Sequence, residues 1–158
     1  MENQNNNKSD RLWPLLVIAG CIPGIIIWLL LVRLSFAGEF AGLIVGFGAV
    51  TVFSYFGCSC NRKRIVLGTV IISVIAVLTN HLGYTMDIFF NFGDSYMEIV
   101  GEKLTFFEAF KRAVSIFVVK NVEGLRKFYL EAMCQGILCS GLLWVVINEY
   151  NLAAGKNK

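Results

Sequence analysis

Charged side chains are scarce in this sequence. Only 16% of its 158 residues are Asp, Glu, Lys or Arg, against about 25% in an ordinary soluble domain. The hydrophobic share is 56%, against about 45–50% in soluble chains. A chain of this length forms about one domain, and soluble proteins rarely expose large apolar patches. The composition therefore predicts a protein that places its surplus apolar surface in lipid.

The usual signatures of enzymes and of nucleic-acid binding are also missing. The sequence contains no GxSxG, HExxH, P-loop or GxGxxG pattern, and His81 is its only histidine. A nucleophile with a base, or a set of metal ligands, is therefore not visible. The net charge is +3, without a basic stripe interleaved with aromatics. We expect no enzyme, no cofactor, no bound metal and no nucleic-acid partner.

Cysteines are present but do not form a disulfide framework. There are five, an odd number, without a CxxC motif. Most are expected to be reduced thiols that act as small apolar side chains. Cys58 and Cys60 stand beside the basic turn 62–64, whose positive charge would lower the pKa of a thiol. A reactive pair is the alternative there, although a metal site needs about four ligands.

Four apolar segments are long enough to cross a membrane as helices. About 20 apolar residues, at about 1.5 Å each, span the hydrocarbon core of about 30 Å. The first segment lies between Arg11 and Arg33, with Trp13 and Trp28 expected near the two interfaces. We therefore predict an all-α polytopic membrane protein with a disordered polar tail at 1–11 and a polar tail at 151–158. The single embedded domain, 12–150, would contain spans at about 12–33, 36–57, 65–84 and 128–150.

The long loop between the third and fourth spans is predicted to contain an amphipathic helix at about 105–120. Thr105 and Glu108 have the spacing of a capping box at its start. On a 3.6-residue period Phe106, Phe110 and Ala113 share one face, and charged residues share the other. Such a helix either lies on the membrane or caps the bundle.

The distribution of Lys and Arg predicts the orientation. Three bases follow one another at 62–64, and Lys8 and Arg11 precede the first span. Cytoplasmic loops carry the excess of positive charge. Both termini and the basic turn are therefore expected in the cytoplasm, and the long loop outside.

Small residues recur on single faces of three predicted spans. Lipid does not drive helices together by the hydrophobic effect, so close backbone approach through small residues supplies the dispersion contacts. The alternative to plain packing is a glycine zipper that lines a pore or holds an oligomer. The predicted helix-packing residues are Gly20, Gly24, Gly38, Gly42, Gly46, Ala132, Gly136 and Ser140.

A group of polar residues lies near the ends of the third and fourth spans. Asn80, Tyr84 and Asp87 follow one another at helical spacing, with His81 adjacent. Ionisable groups at membrane depth usually face an interior or a cavity. One hypothesis is a proton or ion relay through His81 and Glu131; the alternative is solvated acids at the headgroups and a hydrogen-bonded histidine. The candidate intramembrane cluster is Asn80, His81, Asp87, Glu131 and Gln135.

A pattern of glycine, proline and tryptophan in the first two spans resembles that of a known group of proteins. It comprises Gly20, Pro23, Gly24 and Trp28, then a glycine-rich span that ends at Tyr55-x-Gly57 before the basic turn. Over residues 16–90 the chain resembles a group of small, uncharacterised polytopic membrane proteins of Gram-positive bacteria. The resemblance implies a bacterial cytoplasmic membrane and the same four-span plan, and it supplies no activity. Cys58 and Cys60 depart from the pattern of that group.

The function expected from these features is that of a small accessory or scaffolding membrane protein. It would lie in the lipid bilayer and act through helix–helix contacts. Its expected partner is another membrane protein or further copies of the same chain. The alternative is a channel or transporter component, with the polar cluster lining a path.

Overall fold

A computed structural model of the chain describes residues 2–34, 40–55, 62–118 and 123–153. The predicted all-α class is confirmed, since these residues form helices and no strand. The helices are α1 (Glu2–Arg33), α2 (Ala41–Tyr55), α3 (Arg62–Asn91), α4 (Gly93–Val100), α5 (Phe106–Val118) and α6 (Glu123–Ala153).

The four longer elements α1, α2, α3 and α6 form a bundle, and α3 contacts each of the other five helices. Gly20 lies opposite Ala49 and Gly24 opposite Val45, so α1 and α2 are antiparallel. Helices α3 and α6 are also antiparallel, because Gly136 lies against Ser73 whereas Tyr129 meets His81. Helix α2 is parallel to α6, and α1 to α3. The chain therefore alternates in direction, and α4 and α5 lie at the end of the bundle where α3 ends.

Three helices extend beyond their predicted boundaries. Residues 2–11, predicted as a disordered tail, form the first turns of α1. Helix α3 continues past residue 84 to Asn91. Helix α6 runs from Glu123 to Ala153, which includes the first part of the predicted polar tail. Once a helix has formed, each further residue adds one hydrogen bond. Polar residues next to an apolar helical segment therefore extend the helix readily. The second predicted span is described only as Ala41–Tyr55.

The long loop contains one helix that the sequence did not predict. Helix α4 ends at Gly101, whose φ of 77° places it in the left-handed region and whose N–H bonds to the carbonyl of Met97. Glycine adopts this conformation without the steric cost of a Cβ. This turn directs the chain into α5, which packs on α3 through Ala109 and Ala113, both fully buried.

The predicted capping box at the start of α5 is present. The Glu108 carboxylate accepts hydrogen bonds from the backbone N–H of Thr105, at 3.0 Å, and from its hydroxyl, at 2.9 Å. The Thr105 hydroxyl accepts in turn from the N–H of Glu108. The predicted apolar face of α5 is only partly buried: Phe110 faces the bundle, whereas Phe106 points largely outward. The reason is that α5 docks through its small alanines, which let it approach α3 closely.

The capping box makes the start of α5 sensitive to acid. Hydrogen bonds from Thr105, supported by Arg112 and Lys111, lower the pKa of Glu108. The ionised carboxylate is therefore bound more favourably in the folded chain, and this contribution is lost as the pH falls through the lowered pKa.

We expect Thr105→Ala to accelerate amide exchange over the first turn of α5 about fivefold at neutral pH, the usual effect of losing a cap. Equal exchange in both proteins would contradict the capping role.

Large apolar side chains lie mainly on the outside of the bundle. On α1 the exposed residues Leu15, Ile18, Ile22, Ile26 and Leu30 follow one face. The interior instead contains small and polar side chains, among them Ala49, Ala76, Thr79, Asn80 and Thr85, each at most 2% exposed. Among the residues that the structure describes, two helices are long and apolar enough to cross a membrane, Leu12–Arg33 and Lys63–Asn91, and Ala41–Val52 is a shorter apolar helix.

Candidate functional site

Two glycines of α1 form its closest approach to α2. A Cβ on Gly24 would lie 2.6 Å from the Cα of Val45, and one on Gly20 would lie 2.8 Å from the Cα of Ala49. On the opposite helix, α2, Gly48 makes the same kind of contact: a Cβ there would lie 2.5 Å from the carbonyl oxygen of Gly20. Backbone atoms meet across this contact, so no side-chain rotation can accommodate an added Cβ.

A different face of α2 meets α6. A Cβ on Gly42 would overlap the carbonyl oxygen of Ala132, and one on Gly46 would lie 2.5 Å from the Cβ of Cys139. The Cys139 thiol also donates to the carbonyl oxygen of Leu43 at 3.6 Å. Helix α2 is therefore joined to α1 on one side and to α6 on the other by small residues.

The small residues of α6 also serve its contact with α3. Gly136 would place a Cβ 3.1 Å from the Cα of Ser73. Ser140 is buried, and its hydroxyl donates to the carbonyl of Ile137. Among the predicted packing residues, Gly38 lies outside the described part of the chain. The others lie at contacts inside one bundle.

Most buried hydroxyls bond to the backbone of their own helix. Ser73 donates to the carbonyl of Thr69, Thr79 to that of Ile75, and Thr85 to that of His81, at 2.7–2.9 Å. Such bonds to a carbonyl one turn back satisfy a hydroxyl without a second helix. These side chains therefore fill the interior as small, locally satisfied groups.

His81 lies where α3, α5 and α6 meet. Its Nδ1 is 2.6 Å from the hydroxyl of Tyr129 on α6. Its ring packs edge-on against Phe110 of α5, with 4.8 Å between ring centroids. Its other nitrogen, Nε2, is buried and has no hydrogen-bond partner in the described structure. This histidine is the polar centre of the candidate site.

The two predicted acids do not join His81. Glu131 pairs with Lys127 one turn away, at 3.7 Å, and its side chain is 30% exposed. Asp87 accepts a hydrogen bond from Asn91 on its own helix. The predicted relay from His81 to Glu131 is therefore not assembled, because α6 turns Glu131 toward solvent or headgroups and turns Tyr129 inward.

The two predicted amides are both inside the bundle. Asn80 is 2% exposed. Gln135 packs beside Gly42, where a Cβ would lie 2.7 Å from the Cβ of Gln135, and its Oε1 is buried without a hydrogen-bond partner in the residues described.

Three side chains of the site were missed by the sequence analysis. Tyr129 and Phe110 contact His81, and Trp28 packs against Gly83 with only 1% exposure. Trp28 was expected near an interface, and the structure shows that its side chain packs inside the bundle, between α1 and α3. A signal for Tyr129 was available, since it precedes Ala132, Gly136 and Ser140 by three, seven and eleven residues. It therefore lies on the small-residue face of α6.

An apolar groove of about 390 Å³ lies on the outside of the bundle between α3 and α6. Val70, Val74 and Leu78 form one wall, and Met133 and Ile137 form the other. At the end of the bundle, the Arg33 guanidinium lies over the ring of Phe90, 4.3 Å from its centroid.

Comparisons with known proteins found no similarity that assigns a family: no family model matches, and neither a curated protein nor a solved structure is significantly similar to this chain. Within the described residues, no group of three or more His, Cys, Asp or Glu is arranged to hold a metal ion. Cys58 and Cys60 lie outside those residues.

Proposed function

We propose that this chain is a multi-pass membrane protein of four spans, formed by α1, α2, α3 and α6. The supporting observation is the distribution of side chains: many large aliphatic residues lie on the outside, whereas the inside holds alanine, threonine, serine and asparagine beside a few large apolar residues such as Trp28 and Ile72. Water would penalise such a surface, and lipid favours it. The alternating helix directions place the basic turn 62–64 at the same end as the start of α1 and the end of α6. We propose that this end is cytoplasmic and that the membrane is the bacterial cell membrane.

Within the membrane, we propose that the protein acts as a small accessory or scaffolding protein through helix–helix contacts. The observation that favours this role is that several of its polar side chains are paired within their own helices. Buried hydroxyls bond to their own helices, and Asp87 and Glu131 pair with neighbours near the helix ends. Such a bundle offers rigid apolar surfaces, including the groove between α3 and α6, to other membrane helices.

A channel or transporter component remains the second candidate. The observation in its favour is that His81 Nε2 and Gln135 Oε1 are buried without hydrogen-bond partners in the described structure. Buried polar atoms are normally paired, and intramembrane polar groups often mark a pathway. A path would need water or an ion beside these atoms, supplied by a movement of the helices or by further copies of the chain.

Native mass spectrometry of the protein, gently extracted from its own membrane, distinguishes these roles. An accessory protein is expected to leave the membrane bound to a defined larger protein at fixed stoichiometry. A closed assembly of identical copies would contradict the accessory role and favour the channel. In that case, ion flux in liposomes should be lost on His81→Ala and preserved on Glu131→Gln, because the carboxylate faces away from the interior.

A further inference from the structure

His81 of α3 is a titratable side chain that contacts both the amphipathic helix α5 and helix α6 of the bundle. It bonds to Tyr129 on one edge of its ring and meets Phe110 on another. It is also the only histidine in the sequence. Histidine changes charge between about pH 5 and pH 8, within the range that a cell surface experiences.

The surroundings of His81 fit a neutral imidazole. One nitrogen shares a proton with the Tyr129 hydroxyl, and the buried Nε2 faces no acceptor in the described structure. Protonation would place an N–H on both nitrogens and a charge in the interior. In the protonated ring Nδ1 can donate to the Tyr129 oxygen, but the N–H on Nε2 has no acceptor in the described structure, and such a group is unfavourable when buried.

The neighbouring charges do not compensate for that proton. On α3 the closest titratable groups along the helix are Tyr84 and Asp87, and Asp87 accepts from Asn91. On α6 they are Tyr129 and Glu131, which pairs with Lys127.

The charged side chains of α5 are also engaged elsewhere. Glu108 caps Thr105, whereas Lys111 lies over Phe107 and Arg112 over Tyr96. None of the carboxylates described in the structure forms an ion pair with His81.

Helix α5 has a second environment available to it. Its buried edge is formed by Ala109 and Ala113, and the ring of Phe106 also meets Phe89 of α3, although Phe106 is 46% exposed and Phe107 65% exposed. Aromatic residues beside Lys111 and Arg112 suit the membrane interface. A turn with glycine at its centre, Gly101, precedes the helix. Helix α5 thus carries aromatic and basic side chains on its outer face that would suit headgroups.

We propose that His81 is a proton-operated latch for α5. Neutral His81 bonds to Tyr129 and supports Phe110, which keeps α5 seated on α3. Protonated His81 leaves this contact, and α5 moves to the membrane interface. Acid therefore shifts the equilibrium toward release. The latch does not depend on whether the protein acts as an accessory protein or a channel.

Hydrogen–deuterium exchange of the full chain in lipid nanodiscs tests this latch. Protection of amides 106–115 is compared at about pH 7.5 and about pH 5, after normalisation to the intrinsic exchange rate at each pH. In the wild type we expect protection to fall by up to about tenfold for each pH unit below the titration midpoint. Equal protection at the two pH values would overturn the proposal.

Two variants identify the group that responds. His81→Gln keeps a hydrogen-bonding side chain without a titrating proton, so protection of α5 should become independent of pH. Asp87→Asn removes a nearby carboxylate and should leave the pH response unchanged. A response that persists in His81→Gln, or that is lost in Asp87→Asn, would overturn the latch.

The ring resonances of the single histidine provide a second measurement. His81 should titrate in nitrogen NMR with the same midpoint as the loss of α5 protection. If the ring titrates while α5 stays protected, protonation does not release the helix, and the proposal is wrong.

Discussion

Replacing Gly42 by Leu is expected to lower the free energy of unfolding of the bundle by about 3 kcal/mol or more. An added Cβ would overlap the carbonyl oxygen of Ala132 and lie 2.9 Å from the backbone nitrogen of Gly136. These are backbone atoms, so α2 and α6 must separate. Separation removes the dispersion contacts that hold helices together in lipid. Reversible unfolding in mixed micelles, followed by far-UV circular dichroism, measures the loss.

Gly141→Leu is a matched control for this experiment. Gly141 lies on α6, is exposed, and has no atom within 4 Å of the position that its Cβ would take. Both substitutions raise helix propensity by about 0.8–1.0 kcal/mol, so the difference between them reports the contact between helices. We expect Gly141→Leu to be neutral within about 1 kcal/mol. Equal stability of the two variants would show that α2 and α6 do not meet at Gly42.

Replacing Ile22 by Lys is expected to impair membrane integration by about 2.5–3.5 kcal/mol. Ile22 is 50% exposed and lies midway along the apolar part of α1, Leu12–Arg33. In the proposed placement its side chain faces the centre of the bilayer, where an ammonium group is poorly solvated. In a soluble protein the same exposed position would tolerate lysine within about 0.5 kcal/mol. The fraction of protein that resists alkaline extraction from membranes measures the effect.

Ile99→Lys separates a general effect of charge from an effect of depth. Ile99 is 84% exposed on α4, outside both candidate spans. We expect this variant to integrate as well as the wild type. If Ile22→Lys also integrates normally, or if the wild type is extracted as a soluble protein, the proposed membrane placement is wrong.

Local sequence patterns predicted the features that depend on neighbours within about one helical turn. The capping box needs only Thr105 and Glu108, which are three residues apart, and their hydrogen bonds have the expected pattern. The helical class follows from long apolar segments in the same way. Boundaries were less predictable because extension into polar flanks depends on the solvent and on packing. Helix α4 was missed because its eight residues carry too few turns for a clear period.

The candidate site shows where local patterns stop being sufficient. His81 and Tyr129 are 48 positions apart in the sequence, and their contact requires a particular rotation of α6 about its axis. That rotation turns Tyr129 inward and Glu131 outward, although the two residues are only two positions apart. The relay hypothesis paired His81 with Glu131, whereas the structure pairs His81 with Tyr129. The alternative from the sequence, a hydrogen-bonded histidine with acids near the headgroups, agrees with these contacts.

The sequence by itself determined that this chain is helical, that its charge is too scarce for an ordinary soluble domain, and where small residues permit close approach. These properties reside in composition and in spacings of three or four residues. Only the tertiary structure decided that Gly24 meets Val45, that Gly42 meets α6, that Trp28 is buried and that His81 contacts Tyr129. Each of these contacts depends on the register and rotation of whole helices. Both are set jointly by several small-residue interfaces, which no single segment encodes.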